Sequence, residues 1–364
     1  MLTRTLDSIR HGVEYIRRSR RADHGWGYPD KHDSQSWATG HALMALCSAR
    51  SVLALPEEDT LEIINEGITW LLDHSWEWCV EAFPPAEERS MYEVGVGLIS
   101  LHRTLPSADA GLCERAHSLI EASIRSVCEA QNEDGGWDAT IWRNGHSGPK
   151  GMFSEVGATT LAIQSLAAWH RMMPSKVERG ICRGVDWLLK TQNGDGSWND
   201  GSRKPESGTR LFGQPSVTAA CDAVRGIRAG MEFRQMSESK FEHEEPIRNA
   251  IEWVRRQERT VRNQNGANGI GWGADPKSHN HLDSVITCMT IETLVQVDDA
   301  FLPLFAANAQ WLMDSQDRAP DSSSCGAWTH GDSFRSTLCL VEYYKKIKVS
   351  PFFAVAHSIA EEPV

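Results

Sequence analysis

Arg183-Gly-Val-Asp-Trp187-Leu-Leu-Lys-Thr-Gln192-Asn-Gly-Asp-Gly196-Ser-Trp198, followed after a polar loop by an apolar run from Pro215, is the stretch that decides the fold. Its first half has the spacing of an amphipathic helix, with Trp187 on one turn and Gln192 near the end. Glycines then break the helix, one more tryptophan follows, and a second, more apolar helix begins. Variants of this unit recur along the chain, with loop tryptophans at Trp26, Trp76, Trp137, Trp198, Trp272 and Trp328.

Twelve helical segments are predicted, in pairs: about 2–20 and 36–50, 60–74 and 91–104, 112–131 and 155–170, 176–192 and 216–229, 245–259 and 282–296, and 302–316 and 333–347. Residues 231–244 read as a solvated linker, and 348–364 as a tail beyond a barrel domain spanning 1–347. A hairpin of this length cannot bury its apolar face alone, so the hairpins must stack. The first helix of each pair is amphipathic. The second is richer in Ala, Val, Thr and Gly and poor in charge, as six inner helices ringed by six outer ones require. No polar capping repeat closes either end, which favours a ring over the alternative of an open solenoid. The fold expected is all-α, a single (α/α)6 barrel or toroid.

Composition agrees with a single large core, with 40% hydrophobic and 24% charged residues in 364. Fourteen Trp are about twice what one per hairpin would need. A net charge of −12 argues against nucleic acid as a partner, because phosphate neutralisation needs clustered Lys and Arg. The nine cysteines are scattered singly, several within apolar helical runs, the pattern of a reducing compartment. Without an apolar leader or an 18-residue apolar run, the chain reads as cytoplasmic, with peripheral contact at a membrane left open. The oligomeric state is left open too.

At residues 183–198 the chain resembles the QW repeat of the squalene-hopene cyclase and class II terpene cyclase superfamily, position by position. Gln131 with Gly136-Trp137 is a second good copy, and Gln316 with Gly326 and Trp328 a looser one. Gln257 with Trp272, Trp70 with Trp76, and Tyr15 with Trp26 are degenerate copies. In the family the Gln and Trp tie outer-helix ends to the neighbouring repeat. The length resembles the single-domain bacterial class II cyclases of isoprenoid and meroterpenoid chains. That resemblance implies a small apolar, isoprenoid-like substrate in the barrel axis, protonated at an alkene or epoxide and cyclised through carbocations, with no cofactor.

The family's acid lies in an Asp-x-Asp-Asp-Thr-Ala motif at an inner-helix start. Its counterpart here is Glu155-Val-Gly157-Ala158-Thr159, with Gly157 and Ala158 where the two central Asp would stand. The same register places Asp283 and Asp332 at the starts of the fifth and sixth inner helices. Glu155, Asp283 and Asp332 are therefore the candidate acids, expected around one mouth of the ring. Helix capping is the competing role for Asp283 and Asp332. A capping box, Ser90 to Glu93, makes Glu93 structural. Trp37, Tyr92, Trp142, Phe153, His281 and Phe334 are the candidate substrate-binding residues. Aromatic faces can stabilise a carbocation, although ordinary core packing competes as their role. His279, His281 and His330 could supply a hydrogen-bonded partner for the acid. The loop 142–153 is either a lid or a plain surface loop. His279-Asn-His281-Leu-Asp283 resembles a metal cluster only superficially, and no metal is expected. The alternatives are the same barrel with diverged chemistry on another natural-product intermediate, or a non-catalytic toroid that binds a lipid or protein.

Overall fold

The computed structural model describes residues 2–27, 33–53, 57–79, 88–142, 154–199, 213–235, 244–262, 268–273, 284–316 and 333–349. Twelve α-helices lie among them. The outer helices are α1 (Leu2–Arg18), α3 (Glu57–Asp73), α5 (Ala110–Glu129), α7 (Pro174–Lys190), α9 (Glu244–Arg256) and α11 (Leu302–Ser315). The inner helices are α2 (Ser36–Leu53), α4 (Met91–Thr104), α6 (Val156–Ala168), α8 (Val217–Gln235), α10 (Ser284–Val297) and α12 (Ser333–Val349). Two small antiparallel hairpins decorate the ring. β1 (Glu88–Ser90) pairs with β2 (Thr140–Trp142), and β3 (Arg259–Arg262) with β4 (Asn268–Gly271). No described helix is long and apolar enough to cross a membrane.

Each inner helix packs against the inner helices on either side, and α12 packs on α2, so the ring is closed. The seam carries its own ties. Gln316 donates from Nε2 to the carbonyl of Ser8 at 3.0 Å, Arg4 pairs with Asp314, and Gly12 lies so close to Thr337 that a Cβ would collide with its hydroxyl. An open solenoid has no such contact between its ends.

The repeat's chemistry is visible bond by bond. Trp26, Trp137, Trp198 and Trp272 are fully buried, and each indole N–H donates to a carbonyl in the last turns of its own outer helix: Ile16, Val127, Leu188 and Val254, at 2.7 to 2.9 Å. Three of their backbone amides donate to a threonine hydroxyl of the inner helix that follows, Thr39, Thr159 or Thr287. The indole acceptors lie in the last turn of each helix, where the ordinary i+4 amide donor is missing. In the second hairpin Trp78 does this work, donating to Leu71 at 2.8 Å from a fully buried position, where the sequence pattern pointed to Trp76.

Gln131 and Gln192 each span two carbonyls. One belongs to their own loop, Gly135 or Gly196; the other belongs to the next outer helix, Gly180 or Pro246. The loops turn at Gly135 (φ +102°) and Gly196 (φ +93°). A second set of tryptophans, on the outer helices, explains the surplus. Trp70 and Trp187 donate to Asp23 and Asp134 of the preceding repeat's loop, at 3.1 and 2.9 Å.

Helix boundaries follow the periodicity closely, with two corrections. Residues 231–235, expected in a linker, continue α8, and Lys348 and Val349, expected in the tail, continue α12. Residues 236–243 and 350–364 lie outside the described residues.

Candidate active site

Glu155, Tyr92 and Trp37 stand at or near the N-terminal ends of three successive inner helices, and the structure brings two of them together. The Trp37 and Tyr92 rings lie 6.3 Å apart, tilted by 57°. Tyr92 is set in the first turn of α4, where its amide donates to the Ser90 hydroxyl, the N-cap. Its own hydroxyl then reaches α6 and occupies the space where a Gly157 side chain would begin. The position that the resemblance aligns with the family's central acid carries no carboxyl, and a neighbouring phenol fills the space beside it. Glu155 is the N-cap residue of α6 and half-buried, and its carboxylate does not cap that helix. Phe334, in the first turn of α12, is 5% exposed.

The other candidates cannot be placed. Phe153, His281, Asp283 and Asp332 lie outside the described residues, as do His279, His330 and most of the loop 142–153. Trp142 is placed in β2, but its side chain is not described.

One turn inward from Trp37, the fully buried His41 packs edge-on against it, ring centres 4.7 Å apart at 84°. Burial, and then the guanidinium charges of Arg335, Arg103 and Arg225, hold His41 well below the ordinary histidine range, so it is neutral at pH 7. It forms part of the wall of a cavity of about 940 Å³ that follows the axis toward the C-terminal ends of the inner helices. Arg225 on α8, Glu292 on α10 and Arg335 on α12 lie around it. Arg335 faces Glu292 at 3.6 Å, both side chains 13% exposed, and Arg225 faces Asp222 at 3.5 Å. The second carboxylate oxygen of Glu292 is buried without a hydrogen-bond partner among the described residues.

This corrects the picture of an apolar axis. Sequence reading treated the inner helices as poor in charge and missed His41, Arg225, Glu292 and Arg335. His41 and Glu292 interrupt helices that are otherwise largely apolar, whereas Arg225 and Arg335 stand on helices that carry several other charges. A buried ion group survives only if its members face one another, because an isolated charge there would cost several kcal/mol. Among the described residues, the aromatic carbon rings lining the cavity are Phe233 and Phe305, and its walls are otherwise mixed aliphatic, polar and ionic.

Residues 99–212 match the family model of the squalene-hopene cyclase C-terminal domain. That stretch contains both well-formed copies of the repeat. No curated protein sequence matches the chain. Among solved structures, a Scytonema type II terpene cyclase, MstE, in complex with geranylgeranyl dihydroxybenzoate is 15% identical. The match covers 95% of this chain and 97% of that one, with a TM-score of 0.55. The unsaturated glucuronyl hydrolase of Bacillus sp. GL1 is 11% identical over 96% of this chain and 97% of that one, with a TM-score of 0.66. A cellobiose 2-epimerase from Bacillus thermoamylovorans is 11% identical over 93% and 99%, with a TM-score of 0.65. At these identities the likeness shows the (α/α)6 barrel alone. The resemblance to the class II terpene cyclase superfamily stands on the family model together with that fold.

Proposed function

We propose that this chain is an enzyme of the class II cyclase-like group that keeps the barrel and has left behind alkene protonation by a central aspartate. It acts on a natural-product intermediate with polar groups, enclosed in the axial cavity. The observation that carries this reading is the pair of changes along the axis. Tyr92 fills the site of the missing acid at Gly157, and an ionic group replaces aromatic walls in the cavity beyond it. A carbocation gains from aromatic faces, whereas guanidinium groups repel it. His41, neutral and beside the cavity, has the protonation state of a general base, and Glu292 offers a carboxylate oxygen to a bound polar group.

A second reading is favoured by the family match and by the Trp37–Tyr92 pair at the inner-helix starts. It is protonation-initiated cyclisation of an isoprenoid or meroterpenoid chain by Asp283 or Asp332, with Glu155 nearby. Trp37, Tyr92, Trp142, Phe153, His281 and Phe334 would then line the path. One experiment separates the two. The purified protein is incubated with a prenylated hydroxybenzoate and with linear polyprenols, in parallel with Asp283→Asn, Asp332→Asn and His41→Asn. Cyclised product lost in either aspartate variant establishes the second reading and overturns the first. No product from the polyenes, with turnover of polar intermediates that depends on His41, is the expected result.

A further inference from the structure

The chain is acidic throughout, yet its axial cavity is not. Five cationic side chains line it, Arg103, Arg225, Arg335, Lys345 and Lys346, against three carboxylates, Glu232, Glu292 and Glu342, within a chain of net charge −12. The lysines are half-buried and engaged, Lys345 with Glu342 at 3.1 Å and Lys346 with Asp299 at 3.3 Å. The arginines are different. Arg103, in the last turn of α4, has no ionic partner among the described residues. Arg225, its side chain 18% exposed, has Asp222 as its ionic partner at 3.5 Å, longer than the 2.7–2.9 Å of a charge-assisted hydrogen bond. The Arg335–Glu292 separation of 3.6 Å is equally loose.

Arg225 and Arg335 also feel one another. Burial, and then the field of Arg335, depress Arg225 below the ordinary arginine range. The carboxylates of Asp222 and Glu292 offset part of that repulsion, and a further anion between the two guanidinium groups would offset more of it. Each offers a planar fork of N–H donors suited to two oxygens of a carboxylate or phosphate. We infer that the axial cavity is an anion-binding site in which Arg225 and Arg335 grip the carboxylate or phosphate group of the substrate and Arg103 draws it in. This rests on the reading of the cavity as the substrate chamber, and it names the polar group that the chamber takes.

Binding at low salt is measured by calorimetry with inorganic pyrophosphate in one arm and benzoate in the other. Both are followed in the wild type, in Arg103→Gln and in Arg225→Gln. The wild type should bind at least one probe, with affinity falling as salt rises, and each variant should bind it at least tenfold more weakly. The tighter probe identifies phosphate or carboxylate. If Arg225→Gln does not fold, the exposed Arg103→Gln decides alone. Absence of binding by the wild type to either probe, or equal affinity in the folded variants, overturns the inference. Because binding is read without turnover, its failure is separable from failure of the enzyme reading. A protein that binds anions and catalyses nothing refutes only the latter.

Discussion

Replacing Gly135 by Ala tests how tightly the loop of one repeat is pressed on its neighbour. Two costs combine there. The backbone sits at φ +102°, a region that L side chains rarely adopt, which costs about 1–3 kcal/mol. The added Cβ would also lie 2.7 Å from the carbonyl oxygen of Arg183 on α7, a backbone atom that cannot swing away. Forcing that contact apart costs about 1–3 kcal/mol more and strains the bonds from Arg183 to the carbonyls of Asn132 and Glu133. Gly135→Ala should therefore destabilise by about 2–6 kcal/mol. Two controls divide the sum. Gly213 has φ +95° and nothing within 4 Å among the described residues, so Gly213→Ala should show the backbone cost alone. Gly194 has neither positive φ nor a neighbour, and Gly194→Ala should be neutral or stabilising by up to about 1 kcal/mol through the unfolded chain. Urea midpoints with unchanged slopes measure all three. If Gly135→Ala costs no more than Gly213→Ala, the loop is not pressed on α7 and the account of how adjacent repeats pack is wrong.

Other consequences are as direct. Gly157→Ala should destabilise by about 1–3 kcal/mol because its Cβ meets the Tyr92 hydroxyl. In a double-mutant cycle Tyr92→Phe should remove most of that cost, and purely additive effects would show that the phenol does not fill the vacated position. His41 has a folded-state pKa below its unfolded value of about 6.5, so the unfolded chain binds the extra proton first as pH falls. Its contribution is complete above about pH 6.5 and is lost below it, at up to about 1.4 kcal/mol per pH unit. His41→Asn should flatten the fall in stability between pH 6.5 and 5, and parallel curves for the two proteins would count against a buried neutral imidazole. Glu292→Leu should cost about 3–5 kcal/mol by removing the carboxylate that faces Arg335 in the interior. Adding Arg335→Met should recover a large part, as seen by thermal or urea unfolding.

The legibility of the site was uneven for a physical reason. Trp37 and Tyr92 were visible because register alone places them at inner-helix starts. The meaning of Gly157 was half visible: an absent carboxyl is plain in sequence, whereas the phenol that fills its space comes from a different helix. Nothing local to Arg225 on α8, Glu292 on α10 or Arg335 on α12 says that they meet, since 43 to 110 residues separate them.

The ring follows from the pattern of the chain alone. Amphipathic outer helices, apolar inner ones, and a Gln–glycine–Trp loop between them satisfy helix ends and leave faces that only stacking can bury. Trp187, Gln192 and Trp198 appear in the structure with the bonds that such a loop requires. What fills the axis depends on how the twelve helices come together. Periodicity states which face of a helix turns inward, while the character of the enclosed space depends on side chains from six helices, each chosen against the other five. His41, Arg225, Glu292 and Arg335 acquire their shared environment only when α12 closes on α2.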